Sequence, residues 1–187
     1  MRRPGVSVDS PQFDPGGFYE FNINNGSVKT RSGERVLVLG QDVLGPLVSA
    51  AAASGDLTPL RALGSNLASH AKSAIAGAPA DAAPADVFSA AAGVVGVFGF
   101  GRLEVERWGE AIALRMVDAP ALDERRLANA ALLGGLLSGL SGDEVACVPV
   151  DDRFLVVSPN AADAVWKLAR GGAAVADIVA ALHGGAS

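Results

Sequence analysis

Residues 101–157 read GRLEVERWGEAIALRMVDAPALDERRLANAALLGGLLSGLSGDEVACVPVDDRFLVV. The first third alternates. Leu103 and Val105 interleave with Glu104 and Glu106, and Ile112, Leu114 and Met116 resume the rhythm beyond a turn at Trp108, Gly109 and Glu110. A period of two marks a β-hairpin with one face toward a core and one toward water. The pattern then changes: residues 127–140 carry no charge, and Asn129 and Ser138 are their only polar side chains. A helix that is apolar on every side has to be covered on every side. Residues 144–150 and 154–157 return to strand character across Asp151, Asp152 and Arg153, with a lone Cys147 on the first of them. Hairpin, buried helix, hairpin reads as the centre of an α+β domain, with helices packed on one side of a twisted antiparallel sheet built from hairpins.

Upstream, Phe18, Tyr19 and Phe21 precede Asn24, Asn25 and Gly26, residue types that tolerate positive φ and so mark a tight turn. Strands are expected over 18–23 and 27–30. The apolar run 35–40 is too short for a helix and reads as a strand or an extended lead-in to the next helix. That helix opens at Asp42 or at Gly45 and Pro46, and Gly55 closes it. Thr58 and Pro59 read as an N-cap followed by proline at the first helical position, with Gly77 as the end. On it Leu60, Leu63, Leu67, Ala71 and Ala74 recur at helical spacing. Residues 78–84 read as a connector. Pro84 starts a third helix, apolar over 87–98, which Gly93, Gly96 and Gly99 weaken. Asp123 caps the central helix and Gly142 terminates it. Ser158 and Pro159 start a further helix carrying Val165, Trp166 and Leu168; Gly171 and Gly172 break it, and 175–182 makes a last short one. Residues 1–17, with three prolines, two aspartates and no periodicity, are expected to form a flexible arm. Residues 18–187 are expected to form one domain.

Composition narrows the function classes. Half of the 187 residues are hydrophobic and 19% are charged, a balance that supports a packed core. A net charge of −5 with scattered basic residues gives no footprint for a phosphate backbone, so no nucleic-acid partner is expected. One cysteine makes neither an intramolecular disulfide nor a cysteine-based zinc site, which points to a reducing, cytoplasmic compartment. Met1, Arg2 and Arg3 lead into Pro4 and Gly5 rather than an apolar core, so no signal peptide is expected. The uncharged runs 87–101 and 127–142 fall short of the roughly 20 residues that span a bilayer.

Little in the chain carries chemistry. The glycines at 96, 99 and 101 follow a helix and precede a strand, the reverse of the order that aims a helix N-terminus at a phosphate. They read as a C-cap. Cys147 lacks a basic partner to activate it, since His70 and His183 belong to distant helices. His70 has no second ligand at metal-binding spacing. Asp151 and Asp152 sit in a turn, where such residues favour the bend. No catalytic residue, cofactor or metal is expected, and an enzyme is the disfavoured reading.

The run from Arg35 to Leu39, the hairpin from Gly101, the LLGGLLSGLSG helix end at 132–142 and the Glu144-Val145-Ala146-Cys147 strand together resemble the 4-vinyl reductase-type domain. That domain is structurally related to core subunits of the TRAPP vesicle-tethering complex. The resemblance spans residues 18–157 and is best over 133–154. It implies helices on one side of an antiparallel sheet and dimers formed through helices. Bacterial members are similar to sensors of small hydrophobic molecules, and eukaryotic relatives are assembly subunits. Many members carry further cysteines that complete a metal site. Cys147 matches the first such position, but Arg153 stands at the later one, so the resemblance implies a bacterial member without the metal. Two readings follow. The first is a non-enzymatic, homodimeric scaffold or regulatory subunit of a cytoplasmic assembly, favoured because close glycine and alanine packing leaves little internal volume. The alternative is a sensor holding a small apolar ligand between its helices. Interface or pocket residues are expected to be Leu63, Leu67, Phe88, Phe98, Leu133, Gly135, Leu136 and Cys147.

Overall fold

The computed structural model of this chain describes residues 15–73, 75 and 82–184. A single helical turn, α1 (Pro15–Phe18), leads into an antiparallel meander of β1 (Tyr19–Asn22), β2 (Ser27–Thr30) and β3 (Arg35–Val36). The Asn22 side chain accepts the Asn25 N–H at 3.0 Å and Gly26 takes φ +56°, which closes the first hairpin where the Asn-Asn-Gly turn was expected. The register sets Phe21, Val28 and Val36 in one row across the three strands. Only Arg35 and Val36 of the apolar run join the sheet. Leu37, Val38 and Leu39 continue as an irregular lead-in to α2 (Gln41–Ser54), which Gly55 ends at φ +77°.

In α3 (Thr58–Lys72), Thr58 is already helical. The cap comes from Asp56, whose Oδ1 accepts the Thr58 N–H at 3.0 Å. Ala74 and the expected stop at Gly77 lie outside the described residues, as do the first fourteen residues of the N-terminal arm and 78–81 of the connector. Helix α4 (Pro84–Val97) begins at its proline as expected. Its end is a Schellman cap: Phe100 N–H donates to Val95 O and Gly99 N–H to Gly96 O, with Gly99 at φ +79°.

The central stretch forms β4 (Arg102–Trp108), β5 (Ala111–Val117), α5 (Leu127–Ser141), β6 (Ala146–Val150) and β7 (Arg153–Val157). The antiparallel sheet runs in the order β4-β5-β7-β6, so the second hairpin folds back to set β7 beside β5. Pro149 lies on the edge strand β6, where a missing N–H breaks no interior ladder. Asp123 caps α5 as expected, its two carboxylate oxygens accepting the Leu127 and Ala128 N–H groups at 2.9 Å.

Burial of α5 is satisfied inside the chain. Leu132, Leu133, Leu136 and Leu140 are at most 1% exposed, between α3 on one side and the sheet on the other. The α3–α5 seam is a glycine contact. A Cβ on Gly64 would overlap Leu132 O, and one on Gly135 would overlap Arg61 O. The sheet's near face adds Leu103, Leu114, Met116 and Phe154 to this core.

The chain is α+β with antiparallel sheets, as its pattern indicated. The helices extend beyond one side, because α6 (Pro159–Arg170) and α7 (Val175–Gly184) lie on the opposite face of the main sheet. There Val165, Val175 and Ile178 pack on Ala113, Val148, Val150 and Leu155 in a second, smaller core. The rest of that face is wet. It carries a charge ladder in which Arg115 Nε meets Asp152 at 2.9 Å and Arg153 Nε meets Glu106 at 2.7 Å. Among the described residues no helix is long and apolar enough to cross a membrane.

Candidate ligand cavity

The end of α4 decides where the site lies. Its Schellman turn reverses the chain within three residues and leaves Phe98 and Phe100 flanking Gly99. Around them sits a cavity of about 580 Å³. Tyr19 and Phe21 of β1 form one wall, and Val36 with the lead-in Leu37–Leu39 forms the outer one. Leu44 of α2 and Leu63 and Leu67 of α3 close the remainder.

The walls are aromatic on one side and aliphatic on the other. Tyr19 stacks edge-on against Phe18 and Phe98, with centroids 4.8 and 6.3 Å apart, and Phe18 meets Phe98 edge-on at 5.8 Å. The His70 ring lies 5.0 Å from Phe98, and its Nδ1 is 3.2 Å from a Glu34 carboxylate oxygen. Of the thirteen lining residues, only Tyr19 carries a polar side-chain atom. That hydroxyl donates to Val97 O at 2.8 Å. Burial raises the Tyr19 pKa above its ordinary value of 10, so the phenol is neutral at physiological pH. The lining holds no charged side chain and offers a ligand a mainly apolar surface.

The expected site residues divide among several places. Leu63, Leu67 and Phe98 converge on this cavity. Phe88 lines a separate hollow of about 270 Å³ with Val87, Leu137 and Val156. Cys147 lines a third, about 340 Å³, beside Arg61, Leu57 and Ala130. Leu133 and Leu136 are wholly inside the core, and Gly135 is spent on the α3 contact. Close helix packing does exclude volume at the α3–α5 seam. The large cavity escapes it by lying between α3, the end of α4 and the first sheet. Tyr19, Phe21, Leu37–Leu39, Leu44 and Phe100 were not foreseen. The signal was the gathering of Phe18, Tyr19 and Phe21 in a chain that is only 5% aromatic.

Two other places carry charged side chains. Burial, offset in part by Arg61, pushes the Cys147 thiol up to about 12, so it is held protonated. Arg153, at the position where relatives of the resembled family carry a cysteine, is engaged with Glu106 and Asp152. A guanidinium at that position offers no lone pair to a metal ion. Among the described residues no group of three His, Cys, Asp or Glu side chains is placed to hold one. A polar cleft of about 330 Å³ lies among Arg126, Asp151, Trp166 and Arg170. Its Arg126 is occupied, donating to Asp151 O and Asp152 O while stacking 4.2 Å above the Phe154 ring.

No family model matches the chain, and no curated protein matches it. Among solved structures it is similar to the phenol-responsive sensory domain of the transcription activator PoxR, determined with phenol. The TM-score is 0.57 at 14% identity, over 86% of this chain and 98% of that one. At this identity the likeness shows a shared fold.

Proposed function

We propose that this chain is a non-enzymatic sensing domain that takes a small, neutral, apolar molecule into the cavity around Phe98. The observation that carries the reading is the lining: a cavity of about 580 Å³, open to solvent along residues 37–39, whose one polar side-chain atom is already bonded to the backbone. Ligand sites commonly occupy roughly 300–1,000 Å³ with mostly apolar walls. The PoxR sensory domain, of the same fold, was determined with phenol, which supports this reading over the scaffold reading. The order of hairpin, buried helix and second hairpin also agrees with a 4-vinyl reductase-type domain, and that resemblance is carried forward as part of the proposal.

Thermal unfolding with toluene and with phenol tests it. A saturable rise in midpoint is expected, since a ligand that binds only the folded state stabilises it by mass action. Leu63→Trp, which fills the cavity from α3, is expected to abolish the rise while leaving the fold intact by circular dichroism. If neither compound shifts the midpoint at millimolar concentration, and native mass spectrometry of freshly purified protein shows no adduct, the sensor reading fails.

A further inference from the structure

Four arginines are half-buried among the described residues: Arg61, Arg115, Arg126 and Arg153. Three have their charge answered. Arg115 pairs with Glu104 and Asp152, and Arg153 pairs with Glu106 and Asp152. Arg126 donates to two backbone carbonyls, with Asp152 and Asp123 close by. Arg61 of α3 is the exception. Its guanidinium lies over Gly134 of α5, where a Cβ would come within 2.9 Å of Nη1. Its Nη2 donates to Ser138 Oγ at 2.9 Å, a neutral acceptor that also takes the Val145 N–H. Among the described residues Arg61 has no ion pair. A guanidinium has more donors than one hydroxyl can satisfy, and a cation withdrawn from water without a counter-charge is costly.

Arg61 stands in the wall of the hollow of about 340 Å³ that Cys147 also lines. Leu57 from the α2–α3 turn and Leu127, Ala130 and Ala131 of α5 make an apolar wall beside it. Asp56, the one carboxylate in the lining, is exposed, and its Oδ1 is engaged by the Thr58 N–H. We propose that this hollow is a second ligand site, separate from the cavity around Phe98, that takes a small monocarboxylate with an apolar body. The carboxylate would answer Arg61 and the body would lie against Leu57, Leu127 and Ala131. One guanidinium balances one negative charge, and its planar fork matches a carboxylate. The inference stands on Arg61 and its surroundings and does not rest on the sensor reading.

Isothermal titration calorimetry of the full chain with benzoate, in low-salt buffer at neutral pH, tests it. Saturable binding with a Kd of about 1 mM or tighter is expected. Benzamide, the uncharged molecule of the same shape, should bind about tenfold or more weakly, and Arg61→Gln should weaken benzoate by as much. Because Arg61 also ties α3 to α5 through Ser138, that variant could lose its fold. Ala131→Met, which fills the hollow from α5, is the second arm and should abolish binding with the circular dichroism spectrum unchanged. Asp56→Asn keeps the capping oxygen but removes the charge at the rim, so it should tighten binding. Leu63→Trp, which fills the other cavity, should leave benzoate affinity at the parent value. Absence of saturable binding at several millimolar overturns the proposal. So does benzoate binding that benzamide matches, that Ala131→Met or a folded Arg61→Gln leaves unchanged, that Asp56→Asn weakens, or that Leu63→Trp removes.

Discussion

Gly135 of α5 rests against the backbone carbonyl of Arg61 in α3, so closely that even a methyl group at that position would overlap the oxygen. The contact is tied on both sides. Ser65 Oγ donates to Gly135 O at 3.2 Å, and Arg61 Nη2 donates to Ser138 Oγ at 2.9 Å. This seam joins the helix layer to the buried centre of the fold.

Gly135→Ala is therefore expected to destabilise the protein by about 3 kcal/mol. Alanine gains about 1 kcal/mol of helix propensity, but displacing a packed backbone costs more than that. Gly96→Ala in α4, where nothing lies within 4 Å of a new Cβ, should instead stabilise by about 0.5–1 kcal/mol. Urea midpoints of the two variants should move in opposite directions. If both move alike, propensity governs the seam and the packing account is wrong.

Asp123→Ala removes both acceptors from the first turn of α5 and is expected to cost about 1–2 kcal/mol in urea unfolding. Asp123→Asn keeps one oxygen and should recover part of the loss. An alanine variant as stable as the parent would mean that solvent satisfies those N–H groups equally well.

Asn129 is buried within α5, and its Oδ1 has no hydrogen-bond partner among the described residues. An unpaired buried carbonyl costs about 1–3 kcal/mol. Asn129→Leu, which keeps the branched heavy-atom skeleton, should raise the thermal midpoint by a few degrees. A fall would show that the amide is bonded after all, through water.

Alkaline pH should weaken the fold through two groups. Cys147 titrates near 9 when free and near 12 in the native protein, and the Tyr19 pKa is raised above 10. In both cases the native state holds its proton more tightly. Their contribution is complete below pH 9 and is lost as pH climbs from there toward 12. Urea midpoints between pH 8 and 11 should fall, and the fall should be shallower in Cys147→Ala. The raised thiol pKa predicts that Cys147 is alkylated more slowly at pH 8 in the native protein than after unfolding.

Much of the fold was legible because local and global preferences agree in it. The two-residue alternation at Leu103–Met116, the charge-free run of α5, the Asp123 cap and the stop at Gly142 each act within a few residues, where backbone sterics and side-chain period decide the outcome. The site was less legible. Leu63, Leu67 and Phe98 were readable as an apolar set, but their meeting with Tyr19, Phe21 and Leu37–Leu39 depends on how the first meander docks against the end of α4. Nothing in a local pattern distinguishes an apolar side chain packed on its neighbours from one facing a cavity.

The sequence by itself determined the class of the protein. Its periodicities require hairpins and a helix covered on every side. Only the tertiary structure decided which atoms cover that helix. Gly64 and Gly135 allow α3 to approach α5 within the chain, which removes α5 as a dimer seam. Close packing is set by the fit of distant backbones, and a sequence states side-chain size without stating what each one will meet.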